Sequence, residues 1–474
     1  MLRYLLITLT VLMCSSPLVA QDKLWTLQEC ILYARQNSIA VKRAQNSIAS
    51  AEISRREATH NRYPSLNATV SGGFQFGRTI DPVSNSFNNT TIGFNSYNLS
   101  SGVVLYNGNS INNQIQLTKL DVEAARLDAD FISNNISLEI AVGYLNVLLA
   151  EEQLEIVRKR LEQSQEQLRQ TDQLIQAGSL PENERLNSLS QIALDQQSII
   201  DAENQVRIAY LGIQQSMLID PTDAFRVTKP LVSIPSGFDP DQLSLQEIYT
   251  SAYNTQANMK ANELRMQSAE VGVDVAKASF YPRLTFGGGI STNYSDVARQ
   301  FTVEPAIVEQ NVTINGEPFV FGIESFTQTA LDYPYADQLS DNLGQNIGAT
   351  LSIPIYNGYS SKLGTERARL NVINQELQNR EAEQTLLSNI QTAITNARAS
   401  KRSLEASQAA QEAAQAAFQN AQKQFELGAI NSLDFATARL NLDQAQISVL
   451  RDRYSYIFNI KQIEFYQGKT ITLD

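Results

Sequence analysis

The sequence predicts a mainly α-helical chain with a membrane β-barrel. Three copies are expected to close a twelve-stranded barrel, four strands per chain, that continues into a long α-helical coiled-coil tunnel. Three features of the 474 residues lead to this fold. They are an internal duplication, four segments in which polar and apolar residues alternate, and two long stretches without proline.

Composition excludes several function classes. Lys and Arg number 37 against 49 Asp and Glu, for a net charge of -12, which argues against a partner with a phosphate backbone. One histidine and two cysteines are too few for a Cys/His zinc site, and they argue against a His-based catalytic triad. We therefore expect no nucleic-acid partner, no metal or other cofactor, and no enzyme activity.

The start of the chain, Met1 to Ala20, has the order of a secretory signal peptide. Arg3 precedes an apolar run from Tyr4 to Cys14, and cleavage is expected after Ala20. Lipidation at Cys14 is an alternative, but the bulky Met13 stands where a lipobox has a small residue. Export of the chain follows from either processing route.

The rest of the chain consists of two copies of one pattern. Leu27-Gln28-Glu29 and Tyr63-Pro64 recur at an offset of 218 in the numbering, whereas Tyr106-Asn107-Gly108 and Gly178 recur at an offset of 250. The change of 32 between these offsets predicts one insertion in the second copy, between Tyr294 and Asn346. The expected organisation is a signal peptide at 1–20 and two repeats. The first repeat, 21–242, has strands near 66–78 and 95–106, a helix pair at 109–218 and a linker at 219–242. The second repeat, 243–474, has strands near 283–294 and 346–356, a helix pair at 359–466 and a C-terminal tail.

Each repeat begins with a helical segment, about 27–62 and 243–280, that ends at Tyr-Pro. The alternating segments follow. In the first of them Leu66, Val70 and Phe74 fall on one face, while Asn67 and Thr69 fall on the other. Segments of about ten residues match tilted barrel strands, although a half-buried sheet of a soluble protein shows the same alternation. Loops are expected at 79–94 and 295–345.

Residues 109–178 and 359–428 contain no proline and have apolar residues at heptad spacing, such as Leu154, Leu161 and Leu168. Helices of this length, about 105 Å at 1.5 Å per residue, are typical of coiled coils. A four-stranded sheet in lipid would expose two edges of unpaired backbone groups, so we expect it to close with further copies of the chain.

This ordered set of repeats, Tyr-Pro and Tyr-Asn-Gly motifs and glycine turns resembles the TolC-like outer membrane efflux protein family. The resemblance implies a homotrimer in the outer membrane of a Gram-negative bacterium, in contact with its lipid, with a helical extension into the periplasm. It also implies that a periplasmic adaptor protein and an inner-membrane transporter act with the channel in efflux or type I secretion. A non-conducting trimeric scaffold or adhesin anchor is the alternative.

The same resemblance points to two groups of residues. Glu184 and Asp434, each six residues after a turn glycine, correspond to a periplasmic gate; the alternative is that they only complement the helix dipole. Gly178, Leu180, Gly428 and Ile430 correspond to adaptor-docking tips; the alternative is turn packing. The chain departs from the family's pattern of gate links, because Phe425, Ile430 and Thr437 replace a tyrosine, an arginine and an acid.

Five further residues, His60, Trp25, Tyr97, Tyr106 and Tyr356, leave alternatives open. His60 is expected to be a surface residue rather than a switch. Trp25 and the strand-end tyrosines, among them Tyr97, either join an aromatic belt at the membrane interface or pack inside the protein.

Overall fold

The computed structural model describes residues 24–80, 85–89, 91–230, 234–235, 237–314 and 316–473. The expected signal peptide, with Cys14, lies outside these ranges. The chain divides into two compact units: unit 1 comprises Met1–Glu52, Leu120–Gln267 and Ile373–Asp474, and unit 2 comprises Ile53–Lys119 and Ser268–Val372.

The described residues form nine α-helices. They are α1 (Leu27–Asn37), α2 (Ile39–His60), α3 (Ser110–Gln176), α4 (Asn183–Met217), α5 (Leu245–Thr255), α6 (Ala257–Lys277), α7 (Tyr335–Asp341), α8 (Ser360–Glu426) and α9 (Ser432–Tyr466). Helices α3 and α4 form a first helical hairpin, and α8 and α9 form a second.

The same residues contain ten strands. They are β1 (Leu24–Trp25), β2 (Ser65–Gln75), β3 (Arg78–Ile80), β4 (Phe87–Asn89), β5 (Ile92–Asn107), β6 (Arg226–Val227), β7 (Arg283–Ser295), β8 (Arg299–Ile314), β9 (Glu317–Asp332) and β10 (Gly344–Ser352). Strand β10 is shorter than the predicted segment at 346–356 because Pro354 cannot donate a backbone hydrogen bond.

The internal duplication is also present in the fold. Helices α3 and α8 begin and end at positions offset by 250, and α1 and α5 begin and end at positions offset by 218. Burial follows the same offsets: Ile140 and Ile390 are both fully buried, and Tyr144, like its counterpart Ile394, is buried. The two repeats therefore place these core residues of the long helices in equivalent environments.

Two expectations about secondary structure are wrong, one about the first helix of each repeat and one about the predicted loops. The helical segment at the start of each repeat is broken into two helices, at Ser38 and at Gln256, where the backbone is extended and the amide donates to the carbonyl four residues earlier. The predicted loop at 295–345 forms the long hairpin of β8 and β9 followed by α7, and the predicted loop at 79–94 contains β3, β4 and the start of β5. Alternation within 299–332, such as Phe319, Phe321 and Ile323, was the signal for these strands.

Unit 2 contains a four-stranded antiparallel sheet in the order β10-β7-β5-β2. Its register aligns the apolar faces of all four strands: Leu99 lies opposite Ala68 on one side and Ile290 on the other, and Phe286 lies opposite Ala349. Every residue of β10 and all but one of β2 are exposed, so both faces of these strands are uncovered in a single chain. The exposure of apolar residues on these two strands favours barrel strands over a half-buried sheet of a soluble protein.

Unit 1 is built around the apolar faces of α1, α3, α4 and α9. Tyr144 of α3 is fully buried there, and its hydroxyl donates to the carbonyl of Thr228, 2.7 Å away, in the segment between the repeats. Trp25 packs edge-on against Tyr33, with ring centroids 5.3 Å apart, and also contacts Phe225. Trp25 is thus a packing residue.

Among the described residues, α3 alone is long and apolar enough to cross a membrane, by length and composition only. Its most apolar window has a mean hydropathy of 1.2 and is 39% buried in the protein. Residues of α3 such as Ile140 and Leu148 belong to the core of unit 1, which accounts for the apolar composition.

Candidate functional site

The turns of the two helical hairpins have the same backbone geometry. Gly178 and Gly428 lie in the left-handed region, with φ of 76° and 71°. The amide of Gly178 donates to the carbonyl of Ile175 and that of Ser179 to Leu174, at 2.9 and 2.8 Å, and the second hairpin repeats both bonds. No atom lies within 4 Å of a Cβ built on either glycine, so backbone conformation, not space, requires glycine here.

Apolar residues flank both turn glycines. Leu180 and Ile430 are half-buried against their hairpins. Leu427 is 84% exposed, and its counterpart in the first hairpin is Ala177. The second turn therefore presents one exposed apolar side chain that sequence reasoning missed.

The two acidic residues lie in the first turns of α4 and α9, which begin differently. The Asn431 side chain accepts a hydrogen bond from the amide of Asp434, at 2.8 Å, and caps α9. Helix α4 has no side-chain cap, and the amide of Glu184 donates to the carbonyl of Pro181 at 3.1 Å. Asp434 is exposed, whereas Glu184 is half-buried.

Asn187 connects the two hairpins at this level. Its Nδ2 lies 3.4 Å from Glu184 Oε2 and 3.4 Å from Ser432 Oγ, at the start of α9. Glu184 is thereby brought next to the turn that carries Asp434. Within the described part of the chain, neither carboxylate has an ion-pair partner, while Glu182 lies 3.6 Å from Arg185.

The hairpins are closed below their turns by different chemistry. In the first, Arg185 of α4 forms an ion pair with Asp172 of α3, at 3.2 Å. In the second, Phe425 stacks on Phe435, and the hydroxyl of Thr437 donates to the carbonyl of Leu433 in its own helix. The second hairpin is thus closed by aromatic stacking and has no side-chain hydroxyl at position 425.

A buried charge cluster joins α3, α4 and α9 within unit 1. We define it by four residues, Arg160, Asp195, Arg439 and Asp443. Arg160 Nε lies 3.0 Å from Asp195 and 3.8 Å from Asp443, and Arg439 donates to the carbonyl of Arg160. Asp195 is fully buried and also accepts from Ser164 and from Gln191, the latter at 2.9 Å.

Burial makes every charge in this cluster costly. It raises the pKa of Asp443 and lowers the pKa of Arg439, against the attraction between the two groups. The two positive and two negative charges balance, so each offsets the cost of burying its neighbours. Sequence reasoning missed this cluster, because the four residues meet only when α9 packs on the first hairpin.

A sheet with an uncovered apolar face and with edge strands unpaired among the described residues, together with two long helical hairpins, is typical of outer membrane efflux channels. The chain belongs to the outer membrane efflux protein family, whose model matches residues 31–217 and 248–468, well over half of its length. It is therefore an outer membrane protein of the Gram-negative type. A comparison with curated protein sequences found no match.

Solved structures share the fold. A structure of CusC, from work on its folding and transmembrane channel formation, superposes with a TM-score of 0.73 at 17% identity, covering 94% of this chain and 92% of the other. The CmeC outer membrane channel of Campylobacter jejuni gives 0.71 at 16% identity, with 93% and 85% covered. The outer membrane protein VceC of Vibrio cholerae gives 0.71 at 15% identity, with 94% and 96% covered.

Proposed function

We propose that three copies of this chain form the passive exit duct of a tripartite efflux or type I secretion system. The observation that carries this proposal is the four-stranded sheet, whose apolar face is uncovered and whose edge strands β2 and β10 have no partner in the described chain. Exposed apolar residues such as Val70, Phe74 and Ile347 are suited to lipid. Unpaired edges are not tolerated in a membrane, and three chains would supply twelve strands.

Within this proposal the repeats, at 21–242 and 243–474, each contribute two strands and one helical hairpin to the duct. A periplasmic adaptor protein would contact the hairpin turns at Gly178, Leu180, Gly428 and Ile430, and an inner-membrane transporter would supply the cargo. The exposed side chain of Leu427 supports such a contact, since an apolar group at a turn is favourable when a partner covers it. Transport through a duct requires no covalent step, and we propose no enzyme activity.

Glu184 and Asp434 are proposed to form the periplasmic gate. Threefold symmetry would place six carboxylates in one ring, which favours cations and opposes close approach of the hairpins. The absence of an ion-pair partner for either group among the described residues supports this role. The link through Asn187 supports a common position for the two acids.

Conductance tests the proposal. Purified trimers in planar lipid bilayers should give discrete, cation-preferring channels, and Glu184→Ala/Asp434→Ala should weaken the cation preference. A trimer that inserts into the bilayer but conducts no ions, in the parent and in this variant, would establish the non-conducting scaffold instead.

A further inference from the structure

The duplication determines more than the fold of one chain, because three contacts between the two repeats have counterparts that are not made within the described chain. We propose that a second copy of this chain makes the counterpart contacts, in the same register as the contacts within one chain. At the contact between copies, alanine and leucine stand where the contact within the chain has the buried charge cluster. The proposal rests on the ring of copies in the proposed function and names the surfaces that form it.

The sheet gives the first counterpart. Strands β5 and β7, one from each repeat, pair in the chain with Tyr97 opposite Thr292 and Ser101 opposite Gly288. The duplicate of β5 is β10, at an offset of +250, and the duplicate of β7 is β2, at an offset of -218. Applying these offsets to the β5–β7 pairs predicts how β10 pairs with β2 of a second copy. Ile347 is then opposite Phe74, and Leu351 is opposite Val70.

These predicted pairs agree with an independent property of the residues. Ile347, Phe74, Leu351 and Val70 are all apolar and 58% to 77% exposed in the single chain. A slip of one residue would place each of them opposite a residue of the polar face, because side chains alternate along a strand. The register obtained from the duplication is therefore also the register in which the apolar face continues across the two chains.

The junction between strand and helix gives the second counterpart. A Cβ on Gly108 would lie 2.7 Å from the carbonyl oxygen of Ala278 and 2.8 Å from Cβ of Tyr281, so the second repeat packs tightly against the first. A Cβ on the duplicate glycine, Gly358, would meet nothing within 4 Å. The duplicate of Tyr281 is Tyr63, which is 64% exposed and available to cover Gly358 of another copy.

The helical hairpins give the third. Arg439, Asp443 and Leu450 of α9 are buried. Their counterparts on α4, at an offset of 250, are Leu189, Ala193 and Ile200, which are all exposed, Ile200 by 66%. The face of α4 that is free in one chain is thus the duplicate of the face of α9 that is covered.

The surface that would receive this face is defined in the same way. Arg160 and Asp195, which receive α9 within the chain, correspond to Ala410 and Ala445 of the second hairpin. Neither alanine is buried in the single chain. The contact between chains therefore joins Leu189 and Ala193 of one copy to Ala410 and Ala445 of the next, without the charges of the buried cluster.

The difference in chemistry makes the two contacts non-interchangeable. If α4 of one chain packed on the first hairpin of another, Leu189 and Ala193 would cover Arg160 and Asp195 and leave their charges without Arg439 and Asp443. Asp195 would keep Arg160, at 3.0 Å, as its ion-pair partner, but the desolvation cost of burying such a pair can exceed its Coulombic gain. First hairpins are therefore expected to pack beside second hairpins around the ring, and not beside other first hairpins.

Disulfide cross-linking tests the strand register. Ser100 lies opposite Gly289 within the chain, so Thr350 should lie opposite Ser71 of the next copy. Thr350→Cys/Ser71→Cys should give disulfide-linked dimers and trimers on non-reducing gels. Thr350→Cys/Thr69→Cys, two residues out of register, and each single variant should not, because the separation exceeds disulfide reach. Equal cross-linking with Thr69→Cys would overturn the register.

Charge replacement tests the helical contact. Ala193→Asp should abolish the trimer, and Ala193→Asp/Ala410→Arg, which copies Asp443 and Arg160, should restore it. Leu194→Asp is the matched control and should leave the trimer intact, because its counterpart, Gln444, is exposed. Equal effects of Ala193→Asp and Leu194→Asp, or no rescue by Ala410→Arg, would overturn the contact. Trimers that conduct without the predicted cross-link would refute these surfaces and leave the duct in place, whereas cross-linked trimers that do not conduct would refute only the duct.

Discussion

The ring of Phe425 lies stacked on the ring of Phe435, with centroids 5.0 Å apart and planes inclined by 21°. Phe425 belongs to the last turn of α8 and Phe435 to the first turn of α9, and both are buried. The corresponding residues of the first hairpin are Ile175 and Arg185. The second hairpin is therefore closed by an apolar contact where the first is closed by an ion pair.

Phe425→Ala should loosen the turn of the second hairpin. Loss of a buried aromatic ring and of its stacking costs about 3 kcal/mol. Amide hydrogen exchange between 422 and 435 should become faster in the variant, while exchange between 172 and 185 stays unchanged. Unaltered protection around Phe435 would show that the stack does not hold the turn.

Arg185→Ala should have a smaller effect on the first hairpin. Arg185 and Asp172 are 49% and 37% exposed, and an exposed pair contributes less than about 1 kcal/mol. The variant should show slightly faster amide hydrogen exchange between 172 and 185 than the parent. This difference should become smaller at about 1 M salt, where screening is strong. A loss as large as that of Phe425→Ala would contradict the assignment of Arg185 as an exposed ion pair.

The buried charge cluster should tolerate loss of a pair better than loss of one member. Asp443→Ala leaves two arginines with one aspartate and should cost about 3 kcal/mol or more. Arg439→Leu/Asp443→Ala keeps the charge balanced and copies the residues of the counterpart contact, so it should cost less. Urea unfolding of the detergent-solubilised protein measures both, and a double variant less stable than Asp443→Ala would contradict the prediction.

The pH dependence of stability should change with the same pair. Burial raises the folded-state pKa of Asp443 above its unfolded value, so its contribution is most favourable below the unfolded pKa. That contribution falls as the pH rises through the raised pKa, with Arg160, Asp195 and Arg439 as the neighbouring charges. Between about pH 4 and pH 7 the parent should lose stability relative to Arg439→Leu/Asp443→Ala. Melting temperatures of both proteins at the two pH values test this, and parallel curves would contradict it.

The proposed gate predicts a change of ion selectivity. Glu184→Gln/Asp434→Asn keeps the shapes of the side chains and removes six charges per trimer, so the preference for cations should fall. Reversal potentials in a salt gradient across a planar bilayer measure it. Glu182→Gln is the control and should leave selectivity unchanged, since Glu182 lies beside Arg185. Equal effects of the two replacements would remove Glu184 and Asp434 from the gate.

Local signals were sufficient for most of the fold. Alternation of residues such as Leu66, Val70 and Phe74 predicted the strands of the sheet, and the absence of proline predicted the long helices. The breaks at Ser38 and Gln256 were missed because they are single extended residues inside continuous helical patterns. The hairpin of β8 and β9 was missed because the whole insertion at 295–345 was interpreted as one loop, although residues such as Phe319, Phe321 and Ile323 alternate within it.

The candidate site was only partly predictable. Positions such as Glu184 and Asp434 followed from resemblance and from their distance to the turn glycines. Asn187, which links the hairpins, and Phe435, which closes one of them, gave no signal of their own in the sequence. Their roles depend on which residue of another helix lies opposite.

The sequence by itself determined the duplication, the export of the chain and the alternation of its strands, because these depend on the order of residues along the chain. Only the tertiary structure decided which counterparts are covered and which are free. Arg439 and Asp443 are buried against the first hairpin, while Leu189 and Ala193 have nothing in the same chain to cover them. The reason is geometric. Two repeats in one chain share a single contact surface, so the second hairpin covers the first, while the equivalent face of α4 has no further repeat in the same chain to cover it.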